Sequence, residues 1–393
     1  MIININIIGA FARIISFFIP VKKKHWVFGS DCGNMYREGS KYLIEYMLKE
    51  HKDFHCTFIT KNKQVFHELN LKGIPCLMNT SIKGIIRIAK ADSVFFTQTT
   101  GDINFAHKKK GRHFYYLVHG MIQKKVFGLS PENVEKKKGT KKDNIRQRIC
   151  KWLSTGFDTR DSDFISATSD FFVPIIEDSF NHKVKSLVLG MPRNDALFQP
   201  ERMKKERWVD GIEQKFVITY MPTHRLYGKG DVTPTPFANR PDIQQWLIEN
   251  NIVLLIKNHP NMIPKIKEEI NTEWCIDITK KRFDPQVCIY HSDVLITDYS
   301  SVWIDYLLLE RPIIFYLYDD FEQEDAGVLF DLKNENVGHY CYDEEELFHL
   351  IQKAKKEYEK MKPTKEAIKK YHHYIDGNSS ERHFKEISKR YDC

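Results

Sequence analysis

The sequence has no CxxC pair, no cysteine–histidine spacing suited to a metal, and no dense cysteine framework. Its eight cysteines stand far apart at 32, 56, 76, 150, 275, 288, 341 and 393. They read as reduced thiols of a cytoplasmic protein, which excludes a disulfide scaffold and a zinc module. Low-complexity tracts and repeats at solenoid spacing are also missing, which removes disordered and stacked-repeat architectures. Nor is there a long unbroken hydrophobic run. Met1–Pro20 is mostly apolar but is interrupted by Asn4, Asn6, Arg13 and Ser16, and it lacks both a basic leading region and a small-residue cleavage site. A signal peptide and a true span are therefore poor fits. An interfacial helix followed by Lys22-Lys23-Lys24 fits better, with a helix docked on the protein's own surface as the alternative.

What is present points to two α/β domains. At 393 residues the chain exceeds one ordinary core. The net charge of +8 is concentrated: between Met121 and Arg160 eleven Lys/Arg face four acids, so this stretch carries +7. Such a patch suits an anionic partner, a membrane surface above all, although a solvated lysine loop is the commoner fate of such a run. Short β-branched runs alternate with amphipathic segments from His25–Gly29 through Gly39–Lys49, Phe54–Thr60, Lys63–Leu71, Ile82–Ala91, Ser93–Thr97 and His113–Val118. The basic stretch interrupts this pattern, which resumes at Phe164–Ala167 and Ser186–Leu189. It restarts after a polar stretch at Phe216–Tyr220, Ile252–Ile256, Pro285–His291, Val294–Thr297, Ser301–Leu309 and Pro312–Tyr316. Strand–helix alternation of this kind predicts parallel sheets. We expect a membrane-associating segment 1–24, a Rossmann-like domain 25–200 with a basic insertion at about 121–160, a second Rossmann-like domain 201–376 and a terminal helix 377–393.

Polar residues recur where strands end, the place where open α/β sheets bind ligands. His119-Gly120 follows one strand, Gly190 through Arg193-Asn194-Asp195 a second, and Pro222-Thr223-His224-Arg225 a third. Lys257-Asn258-His259-Pro260 follows a fourth and Asp298-Tyr299-Ser300-Ser301 a fifth, with Asp305 one turn further on. Two histidines, two arginines, a lysine and hydroxyls before a helix suit a diphosphate. Each cluster alone also has a structural reading: a capped core helix at Ser300-Ser301, a turn fixed by Arg193 and Asp195, an exposed helix acid at Asp305.

These residues, taken in order, resemble the CDP-glycerol glycerophosphotransferase family of teichoic-acid and capsule synthases. The resemblance rests on His119-Gly120 with Lys124-Lys125, Gly190–Asp195, Pro222-Thr223 with Arg225, His259-Pro260, Leu295–Ser301 with Asp305, Arg311–Tyr316 and Tyr318-Asp319. It runs from about Trp26 to about Gly327. The sequence departs from the family pattern at Val118, at Met121-Ile122-Gln123 and at His224. The resemblance implies a GT-B-like α/β fold, two Rossmann-like domains facing across a cleft. It implies transfer of glycerol phosphate or ribitol phosphate from a CDP-activated donor to a hydroxyl of a lipid-linked acceptor or growing phosphopolymer, with release of CMP. His119 would be the base. His259 would share in catalysis and, with Pro222, Thr223, Arg225, Lys257, Asp298, Tyr299, Ser300, Ser301 and Asp305, bind the donor. Gly120, Arg193, Asn194 and Asp195 would shape the cleft. No permanent cofactor, metal or nucleic acid is implied, and the location would be the cytoplasmic face of a bacterial membrane. The alternatives are a GT-B glycosyltransferase using a nucleotide sugar and a non-catalytic nucleic-acid-binding protein. The latter is disfavoured because the basic stretch is not interleaved with aromatics.

Overall fold

The computed structural model describes residues 2–125, 145, 148–149, 157–206, 208–223, 234–259, 263, 266, 268–281, 283–319 and 327–392, with side chains from Ile7 on. Most of the basic stretch, including Lys136–Lys138, Lys141 and Lys142, lies outside these residues, as do His224, Arg225 and Pro260. The chain divides into two compact units. The first comprises Met1–His119, Phe127–Asp195 and Asp376–Cys393; the second comprises Gly120–Val126 and Ala196–Ile375.

In the first unit seven strands form one sheet: β1 Lys22–Phe28, β2 His55–Thr60, β3 Cys76–Met78, β4 Ala91–Phe96, β5 His113–Tyr116, β6 Phe164–Ala167 and β7 Ser186–Val188. Their order is β3-β2-β1-β4-β5-β6-β7 and every pairing is parallel. Aromatic side chains of neighbouring strands stack on one face: Phe28 on Phe95 at 4.6 Å and Phe95 on Tyr115 at 5.1 Å between ring centroids. Trp26 joins them, fully buried. The helix Ile82–Lys90 begins at Ser81, whose hydroxyl accepts from the Gly84 amide at 3.0 Å. Gly84 is required there, because a Cβ would lie 2.0 Å from the Met78 carbonyl oxygen.

The same sheet is covered late in the chain by the helix Ser379–Ser388. Asp195 accepts from the Ser379 and Ser380 amides at 2.7 and 2.8 Å and so caps this helix. Buried His383 meets the Ser166 hydroxyl at 2.6 Å, and Phe384 packs on Trp26, Phe54 and His51. Beyond it, Arg390 donates to Tyr115 and Ser93, and Tyr391 donates to Asp92 at 2.6 Å.

The second unit repeats the plan with β8 Phe216–Met221, β9 Ile252–Ile256, β10 Cys275–Asp277, β11 Val294–Thr297, β12 Ile313–Tyr316 and β13 His339–Cys341. The order is β10-β9-β8-β11-β12-β13, again all parallel. Leu347, Ile351 and Ala354 of the helix Glu344–Lys356 bury themselves against this sheet. Both sheets are doubly wound, each reversing its strand order once, and the fold is α/β of the GT-B-like kind.

Several details depart from the expectations. Strand β1 starts at Lys22, so the basic triplet belongs to the sheet rather than flanking the first helix. Lys24 has φ 63° and the β1–β4 register shifts between Lys22 and Trp26, an irregularity that breaks the strand pattern across the triplet. The short strand β13 carries no apolar run long enough to signal it. The helix expected at Ser301–Leu309 is α-helical only over Val302–Tyr306 and tightens to a 3-10 turn at Leu307–Leu309.

Candidate active site

Each sheet reverses its strand order at one point, and open α/β sheets form their ligand crevice outside the strand ends there. In the second unit the reversal lies between β8 and β11, whose ends carry Pro222-Thr223 and Asp298-Tyr299. A buried aspartate ties the two: Asp298 accepts from the Thr223 amide at 2.8 Å. One residue earlier, the Thr297 hydroxyl donates to the Met221 carbonyl at 2.7 Å. Tyr299 is buried, and its carbonyl accepts from the side-chain amide of Gln123. Lys124 donates to the Thr223 hydroxyl at 3.3 Å.

Ser300 and Ser301 are half-buried at the start of the helix Val302–Tyr306. Ser301 occupies the cap position without using its side chain as a cap. The expected hydroxyl cap is therefore not formed. The α-helix behind it is five residues long, too short for a sizeable dipole, so donors at this strand end are hydroxyls and main-chain N–H groups. Asp305 is buried rather than an exposed helix acid, and its charge acts on His372. The His372 ring meets the Ile304 carbonyl at 2.6 Å, and its pKa is lowered by burial. Lys257 and Asn258 are buried at the end of β9, while His259 is exposed. Arg225 lies outside the described residues.

In the first unit the reversal lies between β1 and β4. Here too a buried aspartate closes the gap. Asp102 accepts from the Cys32 amide beyond β1 at 2.7 Å, and from the Thr97 and Gln98 amides beyond β4 at 2.7 and 2.9 Å. Burial raises its pKa against these hydrogen bonds. His119 stands past the end of the neighbouring β5 and is the last residue of this segment of the unit. Its ring is open to solvent, yet the surrounding protein desolvates it and lowers its pKa. Glu38, the Thr97 main chain and Asp102 act against that lowering, and Arg193 acts with it. A neutral ring keeps one nitrogen bare, which is the form a general base needs.

The loop that presents His119 is held by buried charge. Arg193 donates to Glu38 at 2.5 Å and also to the His119 carbonyl; the paired side chains are 6 % and 7 % exposed. Val118, just before the histidine, has φ 51°, a strained conformation for a β-branched residue that costs about 1–3 kcal/mol. Asn194 is buried in the 3-10 turn Pro192–Phe198, and Gly120 begins the segment assigned to the second unit. Asp195 faces the terminal helix, and burial pushes its pKa up to about 6 despite the hydrogen bonds from the Ser379 and Ser380 amides.

The structure thus brings Thr223, Asp298 and Tyr299 together in one unit, and Arg193 and His119 in the other. It turns Asp195 toward the helix Ser379–Ser388 and buries Asp305. The sequence reading missed Glu38, Asp102, Gln123, Trp303 and His372. Asp102 was discoverable as an acid closing a polar strand-end turn, whereas Glu38 read as an ordinary first residue of a helix. Among the described residues no group of three or more His, Cys, Asp or Glu is placed to hold a metal ion.

Comparison with known proteins adds the following. The chain is 30 % identical over 278 residues to the teichoic acid glycerol-phosphate primase of Bacillus subtilis (strain 168), covering 70 % of this chain and 68 % of the relative. It is 28 % identical over 323 residues to the teichoic acid glycerol-phosphate transferase of Staphylococcus aureus (strain NCTC 8325 / PS 47), covering 79 % of each. Among solved structures it is similar to the wall teichoic acid polymerase TagF, with a TM-score of 0.73 and 20 % identity across 98 % of this chain and 93 % of that one. The profile of CDP-glycerol:poly(glycerophosphate) glycerophosphotransferases matches residues 11–389. The chain belongs to that family of CDP-polyol phosphotransferases.

Proposed function

We propose that the protein transfers glycerol phosphate from CDP-glycerol to a hydroxyl of a membrane-bound teichoic-acid acceptor and releases CMP. The acceptor oxygen attacks the phosphorus that bears the glycerol, its proton passes to His119, and the bond to the CMP phosphate breaks with the electron pair leaving on CMP. His259, Ser300, Ser301 and Arg225 hold the charge that collects on the departing phosphate. Thr223, Asp298 and Tyr299 shape the strand end that receives the donor, with Pro222, Lys257 and Asp305 behind it. The observation that carries this reading is His119: it stands exposed past the end of β5, on a loop held by the buried Arg193–Glu38 pair through the bond from Arg193 to the His119 carbonyl. Glycerol is the polyol in the names of both relatives described above. The test is nucleotide release: the purified protein with a lipid-linked acceptor should liberate CMP from CDP-glycerol and no UDP from UDP-sugars. UDP release instead would sink the assignment in favour of a glycosyltransferase.

The acceptor's lipid places the reaction at an anionic membrane surface, and the first helix supports that location. No helix among the described residues is long and apolar enough to cross a membrane. The helix Ile2–Phe18 packs Ile8, Ala12 and Ile15 against Ile85 and Phe105. Arg13 turns toward His107, whose buried ring is held neutral with a pKa of about 4 by burial and then by the charges of Arg13 and Arg112. The other face stays open: Ile7, Phe11, Ile14, Phe17 and Phe18 are all exposed, Phe17 at 78 %. Spacings of three and four residues line these side chains along one stripe. Lys109 seals the helix end, donating to the Ser16 and Ile19 carbonyls at 2.5 and 2.6 Å. Phe11→Asp with Phe17→Asp should release the protein from phosphatidylglycerol vesicles in flotation while leaving CMP release from a soluble acceptor analogue intact. Undiminished flotation of the variant would refute this role for the stripe.

A further inference from the structure

Residues 120–126 follow His119 directly yet pack within the second unit. Their anchor is Gln123, which is 4 % exposed. Its side-chain NH2 donates to the Tyr299 carbonyl, and its side-chain oxygen accepts from the Trp303 indole N–H at 2.9 Å. Its own carbonyl accepts from the Leu329 amide at 2.9 Å, and the next peptide forms an antiparallel bridge between Lys124 and Val328. The amide therefore holds the middle of the Asp298–Ser301 loop from one side and the first turn of the helix behind it from the other. The hydrogen bonds account for the residue type: a neutral side-chain amide supplies both a donor for Tyr299 and an acceptor for Trp303 at one position. The three residues between His119 and Gln123 also limit their Cα separation to roughly 14 Å, whatever the two units do.

We propose that Gln123 is a positioning residue of the transfer reaction, fixing the Asp298–Ser301 loop in its donor-binding conformation at the end of the short tether that begins at His119. The inference rests on assigning that loop to the donor. Removing the amide takes one hydrogen bond from the Tyr299 carbonyl and one from the Trp303 indole N–H, and the loop is then freer to turn its donors away.

The experiment measures CDP-glycerol binding by calorimetry in the full chain, with His119→Ala present throughout to prevent turnover. Gln123→Met, which keeps the volume and removes both hydrogen bonds, should weaken binding about tenfold. Gln123→Glu should weaken it at about pH 8 and recover as the pH falls toward about 5.5, because a buried, protonated carboxyl again donates to the Tyr299 carbonyl. Packing alone would give no such recovery. Adding Trp303→Phe to Gln123→Met should cost less than the two single losses combined, since the two side chains share one hydrogen bond. If Gln123→Met does not fold, the near-isosteric Gln123→Glu carries the test alone. Binding by the foldable variants equal to the parent's, or a Gln123→Glu loss that ignores pH, overturns the proposal. The paired variant Ser300→Ala/Ser301→Ala separates the two layers: unchanged binding there overturns the donor-loop assignment and this inference with it. Weaker binding there with normal Gln123 variants overturns this inference only.

Discussion

Replacing His119 by alanine lowers glycerol-phosphate transfer by roughly 10²–10⁴-fold while CDP-glycerol still binds, the loss expected when a positioned general base is removed. The geometry supports this split. The His119 carbonyl accepts from Arg193, itself paired with buried Glu38, so the loop carrying the base is held before any donor arrives. The pH profile follows from the same environment. Only the neutral ring accepts a proton, and desolvation shifts the titration below the ordinary histidine value of 6.5. The acid limb of kcat/KM therefore lies below pH 6.5 and the neutral form prevails at pH 7. Arg193 adds to this lowering while Glu38 opposes it, so Glu38→Gln should move the limb further down. Full activity in His119→Ala, or an acid limb above 6.5, would contradict the assignment.

The second large effect is on stability. Arg193→Met leaves the Glu38 carboxylate with its side chain only 7 % exposed and its 2.5 Å partner gone. Breaking one side of a buried pair costs about 3–5 kcal/mol, because the remaining charge stays desolvated. Denaturant unfolding followed through the first unit should show a loss of that size. The double variant Arg193→Met/Glu38→Gln should recover much of it, since no buried charge is then left over. A single-variant loss below about 1 kcal/mol, the value typical of exposed pairs, would show that the pair contributes little. Activity is a separate reading, because Arg193 also holds the His119 carbonyl.

Strand periodicity made most of the fold legible. β6, β9 and β11 fall at the residues expected, and both sheets are parallel because strands and helices alternate. The sequence reading went astray where short-range signals mislead. Ser300-Ser301 resembles a capping pair, yet the chain enters the helix with Ser301 already in a helical conformation, and the hydroxyl has no cap to make. Asp195 stands among strand-end polar residues, but its partners lie 184 and 185 positions further along the chain. Asp102 and Asp298 play the same part in the two units, each joining the strand ends at the reversal of strand order. That correspondence depends on which strands are neighbours, and periodicity does not reveal neighbours. Gln123 was visible only as a departure from the family pattern; its meaning rests on Tyr299 and Trp303, far along the chain.

The terminal helix has a consequence for how the protein is made. The sheet holding Trp26, Phe28 and Phe95 is synthesised well before Phe384 and His383, which cover part of it. Between Asp195 and the Ser379 amide it caps lies Ala196–Ile375, all of the second unit except Gly120–Val126. At 5–20 residues per second that interval lasts roughly 10–40 s. During synthesis the second unit can therefore close first, while the first waits with an aromatic surface uncovered, a surface for chaperones to hold until the helix Ser379–Ser388 emerges.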